Sequence, residues 1–274
     1  MSIKLILSDL DGTLLTHDKQ ISPRTREALE RAAHLGIHFV PSTGRFYDGI
    51  PQVVRELPFV RYAITVNGAQ IYDAQETKIL RRAEISPQEA DKVFARLHEL
   101  PVIYDSFIDG WGYMDEALYA RIDEFIQDPR VNRMVKELRK PVPSLRRYVQ
   151  ENDTPVQKIQ MFFKDMDLRK DVWAQLIREF PNMSITSSIE NNVELNDLHA
   201  SKGEALAFLA AHLGIDIQDT MSFGDGSNDL SMIKAAGIGV AMENADPTLK
   251  AAADLITDTN DRDGVAQAIE KFCF

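Results

Sequence analysis

Two carboxylates stand two residues apart in Asp9-Leu10-Asp11-Gly12-Thr13-Leu14, directly after the apolar run Ile3-Lys4-Leu5-Ile6-Leu7. That run reads as a short buried strand. Like charges this close repel one another, and each loses water as a site closes around it. A divalent cation would offset both effects. With only oxygen donors at hand and no Cys or His in the segment, Mg²⁺ suits it better than zinc. A carboxylate beside Mg²⁺ can also act as a nucleophile toward phosphorus. An Asp-x-Asp-Gly turn also occurs as a plain polar strand end or in a calcium loop. The EF-hand loop needs Gly at its sixth position and Glu at its twelfth; here Gly12 is fourth and Gln20 twelfth, so that loop is excluded.

Three further segments carry matching chemistry. In Ser42-Thr43-Gly44-Arg45, Thr43 offers a hydroxyl and Gly44 lets the backbone approach an anion, although an ordinary turn would use the same residues. Ser201-Lys202-Gly203 opens a helix, where a lysine works against the helix dipole. Either its ammonium is solvated or it is needed elsewhere. Gly224-Asp225-Gly226-Ser227-Asn228-Asp229 follows a strand and adds two carboxylates and an amide. A Gly/Asp-rich loop would look the same, but buried acids there would go uncompensated, which favours a second metal-facing segment.

Alternating elements must position these residues. Ser22-Pro23 starts a helix that runs to Leu35 and stops at Gly36. Ile37–Val40 reads as the next strand, Tyr47–Glu56 as a helix interrupted by Pro51, and Tyr62–Val66 as a third strand. This βαβαβ order predicts an α/β fold with a Rossmann-like, doubly wound parallel sheet. From residue 69 the pattern changes to a hairpin and then to an α+β mixture with a helix at Pro87–Leu100 and strands near 102–105, 110–113 and 156–163. A helix at 168–179 and strands near Ile185 and Val193 follow, and alternation resumes at Ser201. Asp11 and Thr43 are 32 residues apart, which one helix and one strand fill, whereas Thr43 and Lys202 are separated by 159. An inserted domain is therefore expected at 83–190, with 1–82 and 191–274 forming the core, and with hinges near Arg81–Arg82 and Asn191–Asn196.

Composition narrows the classes. A net charge of −11 over 274 residues argues against nucleic acid as a partner. No apolar run approaches the roughly 20 residues that span a bilayer, and the first apolar run, broken by Lys4 and ended by Asp9, does not read as a signal peptide. One cysteine, Cys273, rules out an intrachain disulfide framework and fits a cytoplasmic setting. No obligate protein partner is evident. Between Arg130 and Arg147 seven basic residues accompany one acid, Glu137; Arg133, Lys136 and Lys140 fall at helical spacing and would form one face. Such a face is either solvated or a selector for anionic substrates.

Taken together, Asp9-x-Asp11-Gly12-Thr13, Thr43, Lys202 and Gly224-Asp225-x-x-Asn228-Asp229 resemble the four motifs of the haloacid dehalogenase superfamily, in order and across the chain. Asn67-Gly68-Ala69, Val240-Ala241-Met242 with Asn244-Ala245, and Asp263-Gly264-Val265 are similar to its Cof-type branch of phosphatases with a type IIB cap. Glu243 departs from the branch, which usually has Gly between Met and Asn, and would narrow the pocket or disfavour some anionic substrates. The resemblance implies a Mg²⁺-dependent phosphatase of small phosphorylated metabolites, with the inserted cap setting specificity. Asp9 would be the nucleophile and Asp11 the general acid–base, with Thr43 and Lys202 also catalytic. Asp9, Asp11, Asp225 and Asp229 would serve the metal, Asp11 through its backbone carbonyl. Leu10, Thr43, Gly44, Arg45, Asn67, Gly68, Lys202 and Asn228 would bind substrate phosphate. An acid at position 11 sets this pattern apart from the superfamily's dehalogenases and phosphonatases, which the resemblance implies lack it. A phosphomutase of the same superfamily and a non-catalytic phosphometabolite-binding protein are the alternatives.

Overall fold

The computed structural model describes residues 2–274. It divides into two compact units, the chain through Arg82 together with Ala200–Phe274, and Ala83–His199. In chain order the first unit begins with β1 (Leu5–Ser8), β2 (His38–Pro41), β3 (Tyr62–Thr65), β4 (Gln70–Asp73) and β5 (Lys78–Arg82). The second contains β6 (Ile103–Ile108), β7 (Trp111–Asp115), β8 (Arg139–Val142), β9 (Lys158–Phe162), β10 (Met183–Thr186) and β11 (Asn192–Asp197). The chain then returns to the first unit with β12 (Thr220–Gly224), β13 (Ile238–Ala241) and β14 (Leu255–Ile256). Among the described residues no helix is long and apolar enough to cross a membrane.

The first unit is built on a parallel sheet in the order β14-β13-β12-β1-β2. All four residues of β1 are buried. Ile6 faces one core with Leu29, Phe39, Val265 and Ile269, while Leu5 and Leu7 face another with Val40, Leu206 and Leu209. A strand apolar on both sides must be covered on both sides. Helices Pro23–His34 and Gly264–Cys273 cover one face and Lys202–His212 the other. β1 lies between β12 and β2, so its carboxyl end is where the strand order reverses and a crevice opens. β3 keeps the expected parallel direction beside β2 but pairs with it at one point only. It meets the β2 edge through one parallel bridge, Ser42 with Ile64, and its ladder runs antiparallel to β4, then β5. The turn at residues 66–68 folds the chain straight back, so β3 and β4 form a hairpin.

The second unit has a six-stranded sheet, β10-β11-β9-β6-β7-β8, antiparallel throughout except for β7 with β8. Helices Pro87–His98 and Met166–Glu179 bury Val93, Phe94, Leu97, Val172 and Leu176 with Ile159, Met161, Val193 and Leu195 of the sheet. The expected boundary at 191 moves to 200. β11 is hydrogen-bonded to both β9 and β10, so residues 192–197 are sheet interior and cannot be a hinge. The basic stretch is also redistributed. Its helix is Pro129–Glu137, and Lys140 lies beyond it in β8, above the rings of Trp111 and Tyr113. Arg133 pairs with Glu137, Lys136 with Asp123, Arg146 with Asp91, and Arg139 is buried against Asp105. Local acids neutralise most of what the sequence presented as one basic face.

Candidate active site

β1 delivers Asp9 to the crevice. The Asp9 N–H donates to the Phe223 carbonyl at 3.0 Å, extending the β1–β12 ladder by one residue, and Ser8 Oγ donates to the Asp9 carbonyl at 2.8 Å. The chain then curls tightly, with Leu14 N–H on Asp9 O and Leu15 N–H on Leu10 O. Gly12 is at φ +87°, and a Cβ there would stand 2.4 Å from Asp225 Oδ2. Only glycine satisfies both the conformation and the close approach. Thr13 Oγ1 donates to Asp225 Oδ1 at 2.7 Å, and Asn244 Nδ2 donates to Gly12 O at 2.8 Å.

β12 delivers the second acidic segment. Asp229 turns back on its own loop, where Oδ2 accepts from the N–H groups of Asp225 at 2.9 Å and Gly226 at 3.0 Å. Its other oxygen, Oδ1, accepts from Lys202 Nζ at 2.5 Å, and the same ammonium donates to Asp9 Oδ1 at 2.6 Å. Lys202 has no exposed surface, and Asp9 and Asp229 are 7% and 1% exposed. The lysine that opposes its helix dipole is thus held between two buried carboxylates. Ser201 caps that helix by accepting from Glu204 N–H, and Gly203 N–H donates to Ser231 Oγ. One carboxylate oxygen from each of Asp9, Asp225 and Asp229 lies within 4.8 Å of the others.

Burial dominates the electrostatics. It pushes the Asp9 carboxyl well above its ordinary value; Lys202 opposes the shift, while Asp229 and Asp225 add to it. Asp225 is pushed up to about 7 by burial and then by Asp229, against the Thr13 hydrogen bond. Lys202 is depressed by burial, but the charges of Asp229 and Asp9 outweigh that and hold it protonated. An all-oxygen donor set with excess buried negative charge fits a hard divalent cation.

Asp11 has a different environment. Its carboxylate does not join the three-carboxylate group and is partly exposed. Arg45 grips it with two bonds, Nε to Oδ2 at 2.8 Å and Nη2 to Oδ1 at 3.1 Å, and Lys19 Nζ reaches Oδ1 at 2.6 Å. Burial raises this carboxyl, but Arg45 and then Lys19 outweigh it and hold Asp11 below the usual range. Arg45 is steered in turn: its N–H donates to Thr43 Oγ1 at 3.2 Å, and its Nη1 donates to Gly49 O. Thr43 is buried at the end of β2, with its N–H on Ile64 O. Gly44 lies between Thr43 and Arg45 in the same loop. Asn67 N–H donates to Thr43 O at 3.0 Å, and Asn228 Nδ2 donates to Asn67 Oδ1 at 3.2 Å. Gly68 follows Asn67 in the turn, and the Leu10 side chain is buried in the core, leaving its backbone beside Asp9.

Three contributors escaped the sequence reading. Lys19 holds Asp11 from a turn with nothing around it to mark a site. Thr13 and Asn244, though inside quoted motifs, were not seen to hold Asp225 and the Gly12 carbonyl. Glu243 does not join the acidic group; it is exposed and pairs with Lys250 at 3.5 Å.

The profile of the haloacid dehalogenase-like hydrolases matches residues 6–269. A 5-amino-6-(5-phospho-D-ribitylamino)uracil phosphatase of Bacillus subtilis is 33% identical over 98% of this chain and 95% of its own length. A pyridoxal phosphate phosphatase of Escherichia coli is 30% identical over 98% of both. A solved haloacid dehalogenase-like hydrolase from B. subtilis superposes with a TM-score of 0.85 at 30% identity, covering 98% of this chain and 99% of that one. With its parallel sheet, its order of motifs and relatives along almost its full length, the chain belongs to the haloacid dehalogenase-like hydrolases, in their Cof-type branch of phosphatases.

Proposed function

We propose that the protein is a Mg²⁺-dependent phosphomonoesterase of small phosphorylated metabolites that works through an aspartyl-phosphate on Asp9. The observation that carries this reading is the buried group of Asp9, Asp225 and Asp229 with Lys202 Nζ bonded to two of them. Asp9 and Asp225, with Asp229 behind them, would hold the ion. When bound, it would neutralise charge on the phosphoryl oxygens and on the carboxylates around them.

Asp9 attacks phosphorus in line; the bond from its carboxylate oxygen to phosphorus forms as the ester P–O bond breaks. Asp11 gives a proton to the departing oxygen. It then takes one from the water that attacks phosphorus, releasing phosphate and restoring Asp9. Lys202, Thr43, the Gly44 N–H and Asn228 surround the phosphoryl oxygens and stabilise the charge that develops on them. Asp11 pairs with Arg45 and Lys19. A phosphoryl dianion competes for the Arg45 guanidinium, loosens its grip on Asp11 and lets that carboxyl take up a proton.

The relatives support small substrates: one acts on a phosphorylated ribitylaminouracil, another on pyridoxal phosphate. The test is turnover of p-nitrophenyl phosphate and of a panel of metabolite phosphates, with Mg²⁺, with Ca²⁺ and in excess chelator. Activity should require Mg²⁺ and be suppressed by Ca²⁺, whose larger and looser shell misplaces the oxygens. Full activity in chelator would overturn the metal assignment. A best substrate that is a folded phosphoprotein would overturn the substrate class.

A further inference from the structure

Residues 66–68 form a turn in which three successive residues have positive φ, Val66 at 50°, Asn67 at 58° and Gly68 at 99°. Glycine adopts this region freely and asparagine tolerates it, but a β-branched valine there is an outlier. Such a conformation persists only where its surroundings over-determine it, and it clusters at functional sites. Here the surroundings are three of the four site segments. Val66 N–H donates to Arg45 O at 2.9 Å and Asn67 N–H to Thr43 O at 3.0 Å. Gly68 lies against the start of the Lys202 helix, where a Cβ would stand 2.3 Å from Ser201 O and 3.0 Å from Lys202 N. Asn67 Oδ1 accepts from Asn228 Nδ2 at 3.2 Å. Asn67 is itself 3% exposed.

We infer that Asn67 is a positioning residue: it fixes the Asn228 amide and the Thr43 loop in register with Lys202 rather than serving as a phosphate ligand in its own right. The inference rests on the proposed phosphate-binding role of Asn228 and Thr43. It explains why asparagine occupies the position. Glycine would meet the backbone demand without holding Asn228, and alanine would meet neither demand.

The experiment uses the full chain loaded with Mg²⁺. It measures the inhibition constant of inorganic phosphate, KM and kcat for p-nitrophenyl phosphate, and Tm. The variants are Asn67→Gly, Asn67→Ala, Asn228→Ala and the double variant Asn67→Gly/Asn228→Ala. Loss of one such hydrogen bond corresponds to about three- to tenfold in binding. Asn67→Gly should raise the phosphate inhibition constant and KM by that factor, with a smaller change in kcat and little change in Tm. Asn67→Ala should weaken phosphate at least as much and also lower Tm, because its backbone is strained. The double variant should bind phosphate no worse than Asn228→Ala alone, since both changes remove the same anchor. Multiplying effects in the double variant would show that Asn67 acts on the ligand independently, and an unchanged inhibition constant in Asn67→Gly would show that it does not act on binding; either overturns the inference. An Asn228→Ala variant with unaltered phosphate binding would locate the failure in the phosphate role of Asn228, and the inference would fall with it.

Discussion

Replacing Lys202 with methionine removes the cation from a fully buried site. The side chain is fully buried and bonds Asp9 at 2.6 Å and Asp229 at 2.5 Å, both nearly inaccessible. Methionine fills similar volume, so the main loss is electrostatic. Breaking a buried pair by deleting one partner costs about 3–5 kcal/mol, because the other charge stays behind unpaired. At about 2–4 °C per kcal/mol for a chain of this size, Tm should fall by roughly 10 °C in chelator. Turnover of p-nitrophenyl phosphate should fall by about 10²–10³ if Lys202 stabilises the phosphoryl oxygens. A second variant separates the two effects. In Lys202→Met/Asp229→Asn one of the two stranded carboxylates is gone, and the Asn oxygen can still accept from Asp225 and Gly226 N–H groups while its NH₂ takes the place of the oxygen that met Lys202. The double variant should regain several degrees of Tm and no activity. Thermal melts and steady-state kinetics on the same preparations check this. A Tm loss under about 2 °C in Lys202→Met, or a double variant less stable than the single, would refute the reasoning.

Asp11→Asn should lose about 10²–10⁴ in kcat/KM for an alkyl phosphate and much less for p-nitrophenyl phosphate, whose leaving group departs without a proton; equal losses would remove Asp11 from that role. Asp73 is nearly inaccessible and accepts from Arg61, Gln75 N–H and Glu76 N–H; burial raises its carboxyl, but these partners outweigh burial and hold it below its ordinary value. A depressed folded value contributes stability above the unfolded pKa of about 3.9 that is lost as pH falls through the folded value. The Tm gap between wild type and Asp73→Asn should therefore be constant near neutral pH and shrink below about pH 4, and a gap that widens in acid would contradict the assignment. Lys136→Glu disrupts only an exposed pair with Asp123, so KM for every metabolite phosphate should stay within about twofold and stability within about 1 kcal/mol; a selective rise in KM for substrates with a second anionic group would restore the basic stretch as a selector.

The parallel sheet could be read because β1 is a short apolar run, β2 and β12 are almost wholly buried strands that alternate with helices, and each ends in chemistry. The same local signal marked β3, parallel to β2 at one bridge, but its main ladder, antiparallel to β4, is decided by the left-handed turn that follows. β8 was missed because Arg139-Lys140-Pro141-Val142 has no apolar alternation; Arg139 is buried only because Asp105, distant in sequence, pairs with it. The second boundary lies later than the expected 191 because the strand expected near Val193 spans Asn192–Asp197 and pairs with β9 and β10, which composition alone does not reveal. At the site, a lysine opening a helix left two readings, solvated or needed elsewhere, and its burial between Asp9 and Asp229 excludes the first. Lys19 carried no such oddity. Its contact with Asp11 depends on how the loop curls after Gly12, which no periodicity encodes.

The central claim is that phosphorus becomes bonded to Asp9. Rapid acid quench of the enzyme with a ³²P-labelled substrate counts the trapped phosphate, and tritiated borohydride, which reduces an acyl phosphate to homoserine as phosphate leaves, labels the residue that carried it for peptide mapping by mass. The label should map to Asp9, persist longer in Asp11→Asn because its hydrolysis is slowed, and be absent from Asp9→Asn, which should have no turnover. A label on any other residue, or unlabelled enzyme that turns over normally with Asp9→Asn still active, would contradict it.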